Sequence, residues 1–241
     1  MEKKLTLNIV IPVYNEEKEL ASSVATLTSY CAKNLSDFTW SIIIANNAST
    51  DNTGQIAASL AKENQKISAV TLKKKGRGRA VKYVWQTHPA DINAYMDVDL
   101  STDLAHFPSL VRSLTRGYDI AIGSRNAHGA RVYGRSFLRT FTSKMYIFLI
   151  KIFFWVHFSD AQCGFKAVSR RVVADVVPYV ADNEWFFDTE LLVLSEKMRF
   201  RMYEEPVTWI DNPGSTVRVM KTAQGDLEGL WRLCITRPWQ K

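Results

Sequence analysis

The chain has few of the residues that build zinc centres and disulfide scaffolds. Its 241 residues include three cysteines, Cys31, Cys163 and Cys234, and four histidines. The cysteines form no CxxC pair and the histidines show no ligand spacing, which argues against a zinc site. An odd and sparse set of cysteines is also more typical of a reducing compartment than of a disulfide-linked secreted domain.

Long hydrophobic segments are missing as well. The most apolar stretch, residues 145–158, contains Lys151, and it is shorter than the roughly 20 apolar residues that a membrane-spanning helix needs. Residues 1–4 lead directly into a strand-like segment, which leaves no room for the apolar region of a signal peptide. We therefore expect neither a signal peptide nor a membrane span, and a cytoplasmic location.

The overall composition indicates a folded protein with an anionic partner. Apolar residues make up 46% of the chain and charged residues 23%, a balance that supports a sizeable core. The net charge of +7 is suited to nucleic acid, a phosphate-bearing substrate or an acidic lipid surface. Because no internal repeat or linker interrupts the chain, we predict a single domain over residues 1–241.

The first half of the chain alternates strand-like and helix-like segments. Strands are expected at 7–13, 40–45, 68–72, 93–96 and 119–123, with helices near 16–35, 52–64, 79–87 and 107–116. Repeated β-α units predict an α/β fold, with a mostly parallel central sheet and helices on both faces. Polar clusters follow several of these strands, so they should converge on one cleft at the carboxyl ends of the strands.

An acidic pair, Asp97 and Asp99, directly follows the fourth expected strand. Two carboxylates at positions i and i+2 of extended backbone point the same way, and together they can hold a hard divalent cation. Such a cation would neutralise a diphosphate leaving group. The alternative is that both aspartates only cap the turn that follows. Their position after a buried strand, among other polar clusters, favours the metal site.

Several ordered motifs resemble those of family 2 glycosyltransferases, which have the Rossmann-like GT-A fold. The first four lie at residues 11–16, 46–53, 75–80 and 97–99. Four later ones, at 123–125, 160–166, 185–192 and 206–209, are similar to the dolichyl-phosphate glucosyltransferases and polyprenyl-phosphate mannose synthases within that family. The resemblance extends from about residue 7 to about residue 235.

The resemblance implies an inverting hexosyltransferase. It would transfer glucose or mannose from UDP-glucose or GDP-mannose to a polyprenyl phosphate, with Mg²⁺ or Mn²⁺ as cofactor and no nucleic acid as partner. The later motifs favour UDP-glucose. Such an enzyme would be peripheral on the cytoplasmic face of a membrane, with residues 145–158 as an amphipathic interfacial helix whose Phe154 and Trp155 face lipid. A buried helix under the sheet is the alternative for this segment.

The resemblance also implies roles for individual residues. Asp97 and Asp99 would bind the metal, and Arg125, Arg139 and Ser143 the acceptor phosphate. Asp99, Arg125 and Asp188 would be catalytic, with Asp188 as a base or as a group that orients the acceptor. The nucleotide sugar would contact Pro12, Tyr14, Asn15, Glu16, Asn46, Asn47, Arg77, Asp97, Val98 and Asp99.

Departures from the family pattern accompany these roles. Asn46 and Asn47 stand where the family has aspartates that touch the base, and Arg77 stands where a lysine is common. Gly214 and Ser215 match part of a closing-loop motif whose lysine is replaced by Thr216.

Two other functions stay open at this point. A glycosyltransferase of the same fold could use a soluble or protein acceptor, and a non-catalytic basic domain could bind membranes or nucleic acid. The basic turn at residues 73–79 lacks both the phosphate-loop and the dinucleotide fingerprint. It can be a solvated turn or a phosphate contact, and no recognition helix supports nucleic-acid binding.

Overall fold

The computed structural model of the chain describes residues 4–211 and 219–240, with backbone alone for 219–223. A seven-stranded sheet in the order β3-β2-β1-β4-β7-β5-β8 forms its centre. The sheet strands are β1 (Thr6–Val13), β2 (Thr39–Asn47), β3 (Ile67–Leu72), β4 (Ile92–Met96), β5 (Ile120–Ser124), β7 (Phe165–Ser169) and β8 (Met202–Pro206). A small parallel pair, β6 (Arg131–Tyr133) and β9 (Thr208–Ile210), lies beside it.

Helices separate most of the strands. They are α1 (Leu20–Asn34), α2 (Thr53–Glu63), α3 (Arg77–Thr87), α4 (Phe107–Thr115), α5 (Phe137–Phe154), α6 (Arg170–Asp175), α7 (Phe187–Lys197) and α8 (Val219–Thr236). The five strands and four helices predicted for the first half of the chain are confirmed to within a few residues. Single-turn 3₁₀ helices at Leu104–His106, Val177–Tyr179 and Pro238–Gln240 complete the described elements.

The sheet is mostly parallel, as predicted, and its one antiparallel strand was not foreseen. β7 runs against both of its neighbours, β4 and β5. The apolar pattern missed β7 because Lys166 interrupts a five-residue strand that is otherwise apolar or small. Lys166 is fully buried, so its charge needs partners inside the protein.

Both faces of the sheet are covered by hydrophobic clusters. Along β1, Leu7, Ile9 and Ile11 belong to one cluster, whereas Val10 points into the other. A strand with both faces buried has a nearly continuous apolar sequence, which is why β1 was easy to recognise. The carboxyl ends of β1, β2, β4 and β5 lie at one edge of the sheet, and the predicted nucleotide-binding loops after β1, β2 and β4 begin there.

Helix α5 begins at Phe137, well before the apolar stretch that was expected to form it. Ser136 caps its first turn by accepting a hydrogen bond from the backbone N–H of Arg139. The expectation that Phe154 faces lipid is wrong, because Phe154 is 2% exposed and packs against Trp239. Trp155 follows in a left-handed conformation and is 81% exposed. Within residues 4–211 and 219–240, we find no helix with the length and hydropathy of a membrane span.

Candidate active site

The loops after β1 and β2 hold each other in place at the carboxyl edge of the sheet. Asn15 adopts a left-handed backbone, with φ of 58°, a conformation that asparagine tolerates better than most residues. Its side-chain oxygen accepts from the backbone N–H of Thr50 at 2.8 Å. The backbone N–H of Glu16 donates to the Thr53 hydroxyl at 2.8 Å. These contacts place Glu16 beside the carboxylates that follow β4.

Asn46 and Asn47 end β2 and are both buried. The side-chain oxygen of Asn46 accepts from the backbone N–H of Ser49 at 3.1 Å, and that of Asn47 accepts from the N–H of Gly76 at 2.8 Å. Each oxygen therefore already shapes a loop, and their contact with a nucleotide base stays a prediction.

Tyr14 and the basic turn also meet at this edge. The ammonium of Lys75 lies 3.3 Å from the centre of the Tyr14 ring. Part of the basic turn is thus packed on an aromatic face instead of being freely solvated. Pro12 is half-buried in β1, and Val98 is a core residue between the two aspartates, so Val98 has a packing role in addition to any ligand contact.

Asp97 and Asp99 line one small cavity together with Gly164 and Trp209. Asp99 is exposed, and its carboxylate accepts from the backbone N–H and the hydroxyl of Ser101 at 3.1 and 2.5 Å. A Cβ atom at Gly164 would overlap the Asp97 carboxylate. Glycine at this position therefore keeps the acidic pair accessible from the β7 side.

Negative charge accumulates around this cavity. Burial, together with the charges of Glu19, Asp99, Asp51 and Asp97, raises the pKa of Glu16 to about 7. Burial and the charge of Asp99 also raise the pKa of Asp97, against the effect of Arg77. A bound cation would relieve this repulsion.

The residues at this cavity fit a divalent ion whose coordination is completed by substrate. Mg²⁺ in phosphate-transfer sites is held by one or two carboxylates, with the remaining ligands coming from phosphates and water. Asp97 and Asp99 supply two such carboxylates. No group of three or more His, Cys, Asp or Glu suited to a metal occurs in the part of the chain that the structure describes.

Arg77 connects the acidic pair to Asp188. Its guanidinium lies 2.5 Å from the Asp97 carboxylate and 2.6 Å from that of Asp188. The first turn of α3 packs directly on the start of α7, since a Cβ at Gly78 would overlap Phe187. This close packing brings Arg77 and Asp188 together. Arg77 thus lies beside Asp97 of the acidic pair, and its predicted contact with the nucleotide sugar stays a prediction.

Two buried residues that the sequence analysis did not single out complete this network. The Lys166 ammonium lies 2.8 Å from the Asp188 carboxylate, which also accepts a hydrogen bond from the Tyr95 hydroxyl. Burial alone would raise the pKa of Asp188, but Lys166 and Arg77 lower it below its usual value. Asp188 is therefore a stable anion that holds two cations, which favours an orienting role over that of a base.

The three residues predicted to bind the acceptor phosphate, Arg125, Arg139 and Ser143, differ in their surroundings. Arg125 makes a two-point ion pair with the buried Asp160, at 2.7 and 3.0 Å. Burial would raise the pKa of Asp160, but the charge and hydrogen bonds of Arg125 lower it to about 2. Arg139 pairs with Asp211 at 2.8 Å, and Ser143 lies on the buried face of α5.

Trp209 lies between the acidic cavity and Arg125. Its ring lines the cavity of Asp97 and Asp99, and the Arg125 guanidinium lies 5.4 Å from the ring centre. The backbone beside it is fixed, because the N–H of Ile210 donates to the Ser101 carbonyl at 2.9 Å. Trp209 is thus the wall shared by the two halves of the site. The predicted closing-loop residues Gly214, Ser215 and Thr216 lie outside the described residues.

Asp226 of α8 is a further buried carboxylate near the site. One of its oxygens accepts from the Gln162 side chain at 2.9 Å, and the other has no hydrogen-bond partner among the described residues. Burial and the charges of Asp182 and Asp188 raise its pKa to about 7, against the lowering effect of the hydrogen bond from Gln162. The sequence carried no motif for this residue.

We expect Asp226→Asn to stabilise the protein at alkaline pH. The usual pKa of this group is 3.8, so between about pH 4 and pH 7 the folded state holds a proton that the unfolded state has lost. Stability must therefore fall as pH rises through this window. Asparagine cannot ionise, so the variant should match the wild type near pH 4 and exceed it by a few kcal/mol near pH 8.

Urea unfolding at several pH values measures this difference. The exposed Asp175 of α6 supplies the control Asp175→Asn, which should follow the wild type throughout. The prediction would be contradicted if the free energy of unfolding changed with pH in the same way in the wild type and in Asp226→Asn.

Comparison with known proteins agrees with this architecture. A crystal structure of glucosyl-3-phosphoglycerate synthase from Mycobacterium tuberculosis, in complex with Mn²⁺, UDP-glucose and phosphoglyceric acid, superposes with a TM-score of 0.71. The match covers 95% of this chain and 80% of that one at 16% sequence identity, so it establishes the shared fold. The α/β arrangement is that of GT-A glycosyltransferases.

Two curated relatives extend the comparison to sequence. The chain is 32% identical to glycosyltransferase AglD of Haloferax volcanii, over 97% of this chain and 37% of that protein. It is 30% identical to dolichyl-phosphate beta-glucosyltransferase ALG5C of Trichomonas vaginalis, over 87% of this chain and 65% of that protein. The chain thus spans less than two thirds of the length of either relative. Residues 8–177 match the family described as Glycosyl transferase family 2, and the chain belongs to that family.

Proposed function

We propose that the protein transfers a hexose from a nucleoside-diphosphate sugar to a polyprenyl phosphate at a membrane surface, with inversion at the anomeric carbon. The observation that carries the proposal is the arrangement on either side of Trp209. An acidic cavity suited to a metal-bound diphosphate lies on one side, and arginines suited to a phosphate acceptor lie on the other. The name of the Trichomonas vaginalis relative supports glucose as the sugar and dolichyl phosphate as the acceptor class.

The donor would lie over the carboxyl edge of the sheet. Tyr14, Asn15 and Glu16 would line one side of the nucleotide, with Asn46 and Asn47 near the base. A Mg²⁺ or Mn²⁺ ion on Asp97 and Asp99, when bound, would neutralise the charge of the leaving diphosphate. Arg77 would hold Asp97 in position, because Asp188 fixes its guanidinium from the other side.

The acceptor would supply its own nucleophile. The second pKa of a phosphate monoester is about 6, so most of it is a dianion at neutral pH. One phosphate oxygen attacks the anomeric carbon, the bond from that carbon to the diphosphate oxygen breaks, and a nucleoside diphosphate leaves. No proton has to be removed, which agrees with an Asp188 that is already saturated by Arg77, Lys166 and Tyr95. Catalysis would come from positioning and charge neutralisation.

An exposed apolar surface supports contact with a membrane. Helix α5 and the residue after it expose Phe137, Leu138, Phe141, Met145, Phe148, Ile152, Phe153 and Trp155. Helix α8, which packs on α5, exposes Leu227, Trp231 and Ile235 at successive helical turns. Lys144 and Lys151 interrupt the α5 set. Large aromatic side chains with basic neighbours are typical of helices that lie in the lipid interface.

We expect substitution of this surface to release the protein from vesicles. Phe148→Ser combined with Trp155→Ser removes two exposed aromatics without touching the core. The loss of buried apolar area in the lipid interface should weaken binding to anionic vesicles by at least about tenfold. Flotation of vesicles with and without anionic lipid measures the binding, and circular dichroism checks the fold.

A matched control uses two aromatics on other elements. Tyr83 and Tyr179 are each 45% exposed, and their replacement by serine should leave vesicle binding unchanged. Equal binding by the wild type, the α5 variant and the control would show that α5 does not contact lipid.

The proposed activity has a direct test. The protein is incubated with a polyprenyl phosphate and each member of a panel of radiolabelled nucleotide sugars, with Mg²⁺ or Mn²⁺, and the lipid is then extracted. Label in the lipid fraction is expected with one nucleotide hexose. A parallel reaction with 3-phosphoglycerate, separated by ion exchange, tests a soluble phosphate acceptor. Label in that product alone would overturn the lipid acceptor.

A further inference from the structure

Three arginines meet at the amino-terminal end of α5, and only two of them have a carboxylate partner. Arg125 is paired with Asp160, and Arg139 with Asp211. Arg135 makes no ion pair within 4.0 Å with any residue that the structure describes. Three guanidinium groups against two carboxylates leave one positive charge, and it resides on Arg135.

Arg135 is held close to the other two arginines. Its guanidinium lies 5.8 Å from the centre of the Trp209 ring, the same ring that Arg125 contacts at 5.4 Å. Burial lowers the pKa of Arg135, and the charges of Arg125 and Arg139 lower it further, whereas Asp160 and Asp211 compensate only in part. A half-buried cation under this repulsion gains stability from an anion that binds to it.

We propose that Arg135 is the residue that binds the phosphate monoester of the acceptor. This inference rests on the proposed function and assigns the acceptor contact within it. Arg125 and Arg139 flank the phosphate, but their charges are already balanced by Asp160 and Asp211. Their main effect is to position the cluster, and the net attraction for a dianion comes from Arg135.

The position of Arg135 also links the acceptor to the donor. The Trp209 ring on which it lies is a wall of the cavity that contains Asp97 and Asp99. A phosphate bound by Arg135 is therefore next to the metal side of the site. Lysine would keep the charge at this position but lose the planar guanidinium that stacks on an aromatic ring and binds two phosphate oxygens together.

Calorimetric titration with geranyl phosphate, a short and soluble prenyl phosphate, tests the assignment. The charge-assisted contact should make Arg135→Gln bind at least about tenfold more weakly than wild type, and Arg135→Lys should fall between them. The control Arg131→Gln removes one charge from an exposed position on β6 and should bind as wild type does. Transfer kinetics should show a raised acceptor KM and an unchanged KM for the nucleotide sugar.

The outcomes separate this inference from the proposed function. If Arg135→Gln binds geranyl phosphate as tightly as Arg131→Gln does, Arg135 does not bind the acceptor phosphate. The same conclusion follows if Arg135→Lys binds the acceptor normally but has a raised KM for the nucleotide sugar. Titration with 3-phosphoglycerate shows whether the phosphate belongs to a lipid or to a soluble acceptor. If Arg135→Gln loses binding of 3-phosphoglycerate but not of geranyl phosphate, Arg135 still binds the acceptor phosphate, and the acceptor is a soluble phosphate instead of a lipid. If the wild type binds neither geranyl phosphate nor 3-phosphoglycerate and transfers sugar to neither, the proposed function is overturned as well.

Discussion

Asp99→Ala is expected to lower the rate of sugar transfer by at least about a thousandfold, because neutralisation of a diphosphate leaving group contributes several kcal/mol to the transition state. The fold should be unaffected, since Asp99 is exposed and its carboxylate bonds only to Ser101 among the described residues. Initial rates with saturating Mg²⁺ or Mn²⁺ measure the effect, and thermal unfolding checks the fold.

A nearby carboxylate serves as the control for Asp99→Ala. Asp103 is exposed and caps the short helix Leu104–His106, so Asp103→Ala should retain transfer activity. Binding of Mn²⁺, followed by electron paramagnetic resonance, should weaken in Asp99→Ala and not in Asp103→Ala. Normal transfer by Asp99→Ala, or by wild type in excess chelator, would refute the metal mechanism.

Lys166→Met should reduce the free energy of unfolding by about 3–5 kcal/mol, the usual cost of removing one partner of a buried ion pair. Lys166 is fully buried, and it balances Asp188 together with Arg77. Without the ammonium, the carbonyls of Ala161 and Cys163 also lose a hydrogen-bond donor. Chemical denaturation at neutral pH measures the change.

The exposed Lys62 of α2 gives the matched control, Lys62→Met, which should change stability by less than about 0.5 kcal/mol. The double variant Lys166→Met with Asp188→Asn should be less destabilised than the sum of the single variants, since each removes the partner of the other. Additive effects would mean that Lys166 and Asp188 are not energetically coupled.

The parts of the fold that depend on local patterns could be predicted from the sequence. Strand β1 has apolar residues on both faces and ends at polar loop residues. Both the strand and the position of its carboxyl end could therefore be recognised in the sequence. The acidic pair after β4 was recognisable for the same reason. Strand β7 was missed because its buried Lys166 is explained only by Asp188, a residue on a distant helix that no local pattern connects to it.

Most features of the site that could not be predicted from the sequence are ion pairs between distant residues. Arg125 and Arg139 could be placed near the acceptor by resemblance, but their partners Asp160 and Asp211 come from other loops. Without those partners, Arg135 looked like one more basic residue. The exposed face of α8 did carry a signal, because Leu227, Trp231 and Ile235 recur every four residues.

The error at Phe154 has a geometric cause. Residues next to each other in a helix point about 100° apart, so adjacent aromatics at the end of α5 do not share an environment. The left-handed turn at Trp155 directs the chain back toward the core, where Val156 and Phe158 are buried. A continuous apolar run therefore contains both core and surface residues.

The arginine cluster lies at the amino-terminal end of the same helix whose exposed aromatics would contact lipid. An acceptor phosphate at the headgroup level could thus reach Arg135 while its prenyl chain stays in the bilayer. The bound enzyme would then search for its acceptor in two dimensions. Its rate would depend on the mole fraction of acceptor in the membrane, so adding inert lipid at constant acceptor concentration would slow the reaction by surface dilution.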